Sequence, residues 1–161
     1  SGCLLLARNP KALKRFAKAF EDRLVEKRYL GVLAGVPSTS EGTIELSLSK
    51  ISSAEKGWRM IAAKKGKPSI THWRVLAEID GHALLEFRPE TGRTHQIRVH
   101  CQAGLGMSLL GDPVYGNGKG APRTMLHAAA IGVPRDGKPP IAATAPLPRD
   151  FTALGFVDGQ D

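Results

Sequence analysis

Apolar side chains recur at helical spacing near the start of this chain, from Leu13 to Leu24. Asn9 and Pro10 precede them, an order typical of a helix N-cap followed by the first helical residue. The spacing places the apolar positions on one face. The segment therefore predicts one amphipathic helix that ends at about residue 24.

Most of the remaining apolar positions alternate with polar ones, which is the pattern of strands that bury one face. Asp80-Gly81 and Asp136-Gly137 have the composition of tight hairpin turns. Many strands joined by such turns, with few helices, predict an α+β fold. The predicted strands cover residues 3–8, 29–34, 43–48, 58–63, 73–79, 83–87, 125–133 and 141–144.

The length of 161 residues fits one domain, and 42% hydrophobic residues are enough to fill a core. No apolar run is long enough to span a bilayer, and the sequence does not open with a signal peptide. Cys3 and Cys101 lie in apolar or helical surroundings, so we expect buried free thiols in a reducing compartment. These features predict a cytoplasmic protein with no membrane partner.

The chain carries a formal net charge of +8, and its isoelectric point is near 9.8. Such a charge favours a polyanionic partner, and RNA is the most common one. Two groups of cations are candidates for that contact, although either group could simply keep the surface soluble. One group lies on the first predicted helix and the other around a predicted hairpin: Lys11, Lys14, Arg15 and Lys18, and Lys56, Arg59, Lys64, Lys65 and Lys67.

The segment from Arg88 to His100 combines three arginines, two histidines and a glutamine. A proline and a glycine end the preceding strand, and Thr94 is the expected N-cap of a helix that begins at His95. His95 and Arg98 would share one face of this helix. Helix N-terminal amides beside guanidinium groups form a site for phosphate or carboxylate, but a solvated basic helix end has the same composition.

The same segment resembles the signature of the RluA-type pseudouridine synthases. Residues 91–100 read T-G-R-T-H-Q-I-R-V-H, and residues 111–116 match the second motif of that family, G-D-x-x-Y-G. Residues 27–35 resemble its K-x-Y-x-A-x-V-x-G strand, and residues 126–128 and 145–148 match its L-H-A and A-P-x-P segments. Because the resemblance extends from Ser1 to about Phe156, we expect residues 1–161 to form one catalytic domain that lacks its beginning.

The resemblance implies a mixed, largely antiparallel sheet with flanking helices and an active cleft across its middle. It also implies catalysis by one aspartate, with no cofactor and no metal. That aspartate belongs to H-R-L-D-x-x-T-S-G, whose end matches Ser1-Gly2, so it would lie four residues ahead of Ser1. The resemblance assigns to Arg98 the role of pairing with this aspartate, and to Tyr29 that of packing on the target base.

Four further residues are candidates for contacts with the substrate. Arg93, His95 and Gln96 are suited to backbone phosphates and to ordering the target nucleotide, and Leu126 is expected to line the pocket. His95 could equally serve as a structural hydrogen-bond partner.

Asp112 is the one carboxylate within a strong motif, and a search for a nucleophile would select it. Its sequence context predicts instead a turn in which Asp112 accepts hydrogen bonds from backbone amides. Arg98, without the upstream aspartate, should contact solvent, an anion or a substitute carboxylate in this chain.

We therefore expect an RNA pseudouridine synthase, an isomerase acting on structured ribosomal or transfer RNA without an obligate protein partner. The alternative is a non-catalytic RNA-binding module, because this chain does not contain the aspartate. The seven codons upstream of Ser1 would separate the two hypotheses. A metal-dependent nuclease is disfavoured, because it would need clustered carboxylates and metal ligands that this sequence does not display.

Overall fold

The computed structural model describes residues 1–55 and 57–157. Lys56, one of the cations noted around the predicted hairpin, lies outside the described residues. The predicted first helix is confirmed, with the side chain of Asn9 accepting a 2.9 Å hydrogen bond from the amide of Ala12. The elements are α1 (Pro10–Glu21), β1 (Glu26–Leu33), β2 (Glu41–Glu45), β3 (Leu48–Ser53), β4 (Gly57–Ala62), β5 (Ile70–Ile79), β6 (His82–Pro89), α2 (Gln96–Leu105), β7 (Leu126–Arg135), β8 (Lys138–Thr144) and α3 (Arg149–Thr152).

Six strands form one sheet in the order β2-β5-β6-β1-β7-β8, and β3 pairs with β4 in a separate two-stranded sheet. Every pair of neighbouring strands is antiparallel. A single parallel bridge joins Gly2 to Ala128 outside the named strands. The predicted α+β class with a largely antiparallel sheet is confirmed.

Both predicted hairpin turns join neighbouring strands. Asp80 and Gly81 have φ angles of 49° and 76°, and they connect β5 to β6. Positive φ at both central residues is what a two-residue turn needs in order to match the twist of its strands. Gly137, with a φ of 62°, lies in the turn between β7 and β8.

Two strand predictions were wrong. Residues 3–8 form no strand, and Leu4 and Leu6 are exposed, because the pairing with β7 stops after Cys3 donates to the carbonyl of Ala128. The single strand predicted over residues 43–48 is the end of β2 and the start of β3. The chain changes sheets there while its apolar alternation continues through Leu46, so the pattern could not reveal the break.

The main sheet is covered on both faces. On one face, Ile97 and Cys101 of α2 pack against Leu33 and Phe87. On the other face, a second cluster includes Leu30 and the aromatic rings of the C-terminal segment, Phe151 and Phe156. Helix α2 is thus held against the central strands β1 and β6. None of the helices in the described ranges is both long and apolar enough to cross a membrane.

Candidate active site

A cavity of about 250 Å³ lies where the N-terminal end of α2 meets β1, β6 and the start of β7. It is built locally by the break in the chain at the end of β6, after which residues 90–95 turn back to begin α2. All the site residues predicted within this chain line it: Tyr29, Arg93, His95, Gln96, Arg98 and Leu126. Residues from three separate parts of the sequence therefore meet at one place.

Tyr29 lies in the centre of the sheet, paired with Phe87 of β6 and Ala128 of β7. Strand alternation directs Leu30 to the opposite core and leaves Tyr29 on the face that carries α2. Burial raises the pKa of the Tyr29 hydroxyl above its ordinary value. The phenol is therefore protonated at neutral pH and can donate a hydrogen bond into the cavity.

Lys27 also lines the cavity, although it was not among the predicted site residues. It stands two residues before Tyr29, on the same face of β1, and that period-two spacing was the signal that could have identified it. Its Nζ donates a 3.1 Å hydrogen bond to the carbonyl of Thr91. Burial lowers the pKa of the Lys27 ammonium, so the group is less costly to deprotonate than an exposed lysine.

Gln96 fixes the loop that leads into α2. Its Oε1 accepts hydrogen bonds from the hydroxyl of Thr91 at 2.7 Å and from the amide of Arg93 at 3.0 Å. Its Nε2 donates to the carbonyl of Ile70 at 3.0 Å and to the hydroxyl of Thr71 at 2.9 Å. Because the protein uses all four hydrogen-bonding positions of this 4% exposed residue, an indirect role is favoured over the predicted phosphate contact.

His95 has a left-handed backbone conformation, with φ 53° and ψ 20°, and α2 begins one residue later at Gln96. The predicted cap at Thr94 was wrong, because His95 occupies the N-cap position and makes no side-chain cap bond. A left-handed conformation is uncommon for a residue with a side chain and is concentrated at functional sites. Here it aims the imidazole at Tyr115, whose hydroxyl lies 2.9 Å from Nδ1.

The imidazole of His95 has its pKa lowered by burial and by the charge of Arg98, which together outweigh the opposite effect of Asp112. It is therefore neutral at pH 7 and can accept a hydrogen bond through one nitrogen and donate through the other. The shift and the contact with Tyr115 fit the structural alternative raised for this residue as well as a contact with substrate.

Arg98 contacts a substitute carboxylate, which was one of its three predicted partners beside solvent and an anion. Its Nε donates to Oδ2 of Asp112 at 2.7 Å, and its Nη2 donates to Oδ1 at 2.7 Å. Such two-pronged pairing fixes the plane of the guanidinium group. The hydrogen bonds that Arg98 donates to Asp112 raise the pKa of the guanidinium group, which stays charged while the side chain lines the cavity.

The predicted turn at Asp112 is confirmed. Its Oδ1 also accepts hydrogen bonds from the amides of Val114 at 2.9 Å and Tyr115 at 3.0 Å. Burial would raise the pKa of Asp112, but the bonds from Arg98, Tyr115 and Val114 hold it below its usual value. With 0% exposure and all these partners, this carboxylate is a structural anion and has no access to a substrate.

The charge of the cavity is positive. Its described lining holds three cations, Lys27, Arg93 and Arg98, and no aspartate or glutamate. A wall of this kind attracts anionic groups and stabilises an additional carboxylate in its ionised form. Among residues 1–55 and 57–157, no group of three or more His, Cys, Asp and Glu side chains is placed to hold a metal ion.

A larger hollow of about 420 Å³ lies over β2, β5 and β6, and three charged residues of its lining, Arg74, Glu86 and Arg88, are paired with one another. Glu86, 3% exposed, is paired with Arg28, Arg74 and Arg88 from three neighbouring strands. Burial would raise the pKa of Glu86, yet these hydrogen bonds lower it to about 2. The cluster joins neighbouring strands of the sheet and has a structural role. The smaller cavity is therefore the better candidate for the active site.

Comparisons with known proteins identify several relatives of this chain. The family model described as RNA pseudouridylate synthase matches residues 1–103. The chain is 54% identical over 158 residues to an uncharacterised RNA pseudouridine synthase of Zymomonas mobilis, covering 97% of this chain and 72% of that protein. It is 36% identical to ribosomal large subunit pseudouridine synthase D of the same organism, over 96% of this chain and 51% of that protein. A solved structure, human RNA pseudouridylate synthase domain containing 1, matches with a TM-score of 0.75 and 31% identity over 91% of this chain and 69% of that one.

Proposed function

Because this chain belongs to the RNA pseudouridylate synthase family, we propose that residues 1–161 form most of the catalytic domain of an enzyme that isomerises uridine to pseudouridine in structured RNA. The observation that carries the proposal is the single cavity that collects Tyr29, Arg93, His95, Gln96, Arg98 and Leu126. The segments that contribute these residues are far apart in sequence, so an arbitrary basic surface would have no reason to assemble them.

The reaction breaks the bond between C1′ of the ribose and N1 of uracil, turns the base, and joins C1′ to C5. C5 loses a proton and N1 gains one, so no oxidant, metal or external group is required. A carboxylate is suited to such a reaction as nucleophile or base. The described cavity wall supplies cations and no carboxylate. This fits a nucleophilic aspartate ahead of Ser1, as the family resemblance implies.

Arg98 is then the counter-charge of that aspartate. One edge of its guanidinium group is held by Asp112, which fixes the direction of the side chain without occupying all of its N–H groups. Pairing with the remaining groups would keep the incoming aspartate ionised inside the cleft, where burial alone would raise its pKa. Asp112 is in this account a positioning residue for Arg98.

Tyr29 and Leu126 form the base-binding part of the cavity. They lie on the neighbouring strands β1 and β7, with Leu126 beside Gly31. The aromatic ring can pack on the face of uracil, and the protonated hydroxyl is within the same cavity for proton transfer. The flat base would enter between these apolar surfaces and the cationic wall.

Arg93 and His95, from the loop of residues 90–95, and Lys27 of β1 also line the cavity. Arg93 is suited to a backbone phosphate of the target nucleotide. Gln96 acts indirectly, since its amide holds the backbone of Arg93 in place. The target uridine must leave its stack to reach this cavity, and an unpaired or loosely stacked uridine in a folded RNA does so at the lowest cost.

The substrate is ribosomal or transfer RNA in a cytoplasmic setting, and no obligate protein partner is required. The test compares RNA from cells with and without the gene. Uridine and pseudouridine have equal masses, so pseudouridine is detected by its stable carbodiimide adduct, separately in ribosomal and transfer RNA. We expect at least one position to lose the adduct and to regain it with the wild-type gene or with an Arg135→Ala control at the far end of β7, but not with Tyr29→Ala. Unchanged adducts at every position would contradict the proposal.

A further inference from the structure

Trp58 is a large aromatic residue left 48% exposed at the edge of the candidate active site. It belongs to β4, the second strand of the small β3–β4 hairpin. Its indole ring stacks on the imidazole of His95, with ring centres 5.2 Å apart and planes 21° from parallel. Since His95 also lines the cavity, one imidazole connects the exposed indole to the wall of the uridine site.

The hairpin is held in this position by packing along one of its faces. Leu48 and Met60 point to the same side and are buried against Val99 of α2. The backbone amide of Met60 donates a 3.0 Å hydrogen bond to the hydroxyl of Tyr115. Trp58 is two residues before Met60, so its side chain continues this row beyond the N-terminal end of α2. The indole is thus carried on a fixed element.

A cation accompanies the exposed ring. Nζ of Lys50 lies 4.6 Å from the centre of the Trp58 ring. Lys50 pairs across the hairpin with Met60, so it projects from the same face. The ammonium group lies over the ring, so a base that stacks on the indole displaces the flexible Lys50 side chain, whose charge can then contact the adjoining phosphate.

We propose that Trp58 is a stacking platform for the nucleobase next to the target uridine in the bound RNA. This inference rests on the proposed function. When a uridine leaves its stack, its neighbour loses a stacking partner. The indole stacks on the outer side of His95, which lines the cavity. It can therefore replace the uridine as the stacking partner of the neighbouring base. A role confined to covering His95 would leave Trp58 without effect on RNA that reaches the cavity.

Tryptophan fluorescence gives a direct test, because the chain contains only two tryptophans. Trp73 is 7% exposed in the core, so a base that stacks on Trp58 should quench the wild-type signal and leave that of Trp58→Phe unchanged. The probes are synthetic eight-nucleotide RNAs with one central uridine between adenosines, and the same RNAs with an abasic ribose on either side of the uridine.

The affinity of the same RNAs is measured by fluorescence anisotropy of a dye at the RNA end. Trp58→Ala should weaken binding by about 5- to 150-fold, the range of one base–aromatic stack, and Trp58→Phe by much less. An abasic neighbour should weaken binding to the wild type but add little to Trp58→Ala. Ile51→Ala is the matched control, since it removes an exposed apolar side chain from the other face of the hairpin.

The outcomes distinguish failure of the inference about Trp58 from failure of the proposed function. Quenching that disappears with one abasic neighbour, together with an RNA-affinity loss specific to Trp58→Ala, supports the inference. RNA binding that neither quenches Trp58 nor depends on it overturns the inference and leaves the proposed function intact. Failure of the wild-type chain to bind any of these RNAs at low salt also overturns the inference, whereas the proposed function is tested separately by the carbodiimide adducts in structured RNA.

Discussion

The guanidinium of Arg98 and the carboxylate of Asp112 share two hydrogen bonds of 2.7 Å, across a separation of fourteen residues. The pair connects the first turn of α2 to the turn at Asp112. In that turn, Oδ1 of Asp112 also accepts hydrogen bonds from the amides of Val114 and Tyr115. One ion pair therefore orients a cation of the candidate active site and closes a buried turn. Its effect on stability and its proposed effect on catalysis can be measured separately.

Asp112→Asn should destabilise the fold. The asparagine oxygen can still accept from the backbone amides, but the charge that balances Arg98 is lost. Breaking a buried pair typically costs roughly 3–5 kcal/mol, and we expect the lower end because Arg98 retains some contact with solvent. Urea unfolding measures the change.

The exposed pair Lys18–Asp22 of α1 provides the control for that measurement. Asp22→Asn should leave the free energy of unfolding nearly unchanged, because exposed ion pairs contribute little to stability. Equal effects of the two variants would mean that Asp112 is no more than a surface partner of Arg98.

Substitutions of Arg98 and Arg93 should affect different steps in a protein that carries the family's aspartate segment. Arg98→Ala would leave that aspartate without its counter-charge, and uptake of a proton would remove the nucleophile. The single-turnover rate should collapse while RNA affinity changes little. Arg93→Ala should instead weaken RNA binding more than it slows the chemical step.

Both quantities are measured on the same RNA transcript, with circular dichroism to verify folding. Arg98→Lys keeps the charge but loses the two-pronged contact with Asp112, so its rate should fall between those of the wild type and Arg98→Ala. A fully active Arg98→Ala, or one impaired only in affinity, would make Arg98 an ordinary phosphate contact.

Much of this arrangement was predictable from local sequence. Asn9-Pro10, Asp80-Gly81 and Asp136-Gly137 marked one helix start and two hairpin turns, because each depends on the conformational preferences of two adjacent residues. The motif residues of the cavity were identifiable because they are concentrated in a few short segments. The turn at Asp112 was predictable for the same local reason.

What escaped prediction depends on contacts between distant segments. The left-handed conformation of His95 follows from its packing between Trp58 and Tyr115, and no residue adjacent in sequence indicates it. In the sequence, Trp58 is indistinguishable from any other apolar residue of a strand. Its position beside His95 depends on how the hairpin packs on α2. The partner of Arg98 could be predicted only as solvent, an anion or a substitute carboxylate, since the outcome depends on how the chain returns after α2.

Glu86 should make stability depend on pH in the acid range. Its folded pKa of about 2 lies below the ordinary 4.5, so the stabilisation is complete above about pH 4.5 and is lost as the pH falls toward 2. A shift of this size corresponds to at most about 3 kcal/mol, and partial exposure of the three arginines reduces it to roughly 2. Glu86→Gln should be less stable than the wild type at pH 7 by about that amount.

Urea unfolding of both proteins at pH 7 and near pH 2.5 examines this dependence. The difference between them should shrink in acid, because the wild-type glutamate becomes partly protonated there. A difference that stays constant across this range would assign the effect of the substitution to packing.

The 161-residue chain by itself should form no pseudouridine. No carboxylate lines the described cavity, and Asp112 is inaccessible and fully bonded. Incubation with ribosomal and transfer RNA transcripts, followed by carbodiimide detection, should show no conversion above background. Addition of the upstream segment should restore conversion on the correct transcript. Turnover by the chain alone would place the nucleophile among the residues of this chain.

RNA binding by the chain should survive and depend steeply on salt, since the cations of the cavity and a net charge of +8 act mainly on phosphates. For single-stranded RNA the logarithm of affinity should fall with the logarithm of salt concentration, with a slope of about −0.7 for each phosphate contact.

Arg93→Ala should make the slope shallower by about one such contact. Arg135→Ala removes an equal charge from the far end of β7, away from the cavity at Leu126, and should leave the slope nearly unchanged. Equal changes in the two variants would mean that overall charge, and not the cavity, governs binding, and a flat response to salt would exclude a phosphate-dominated interface.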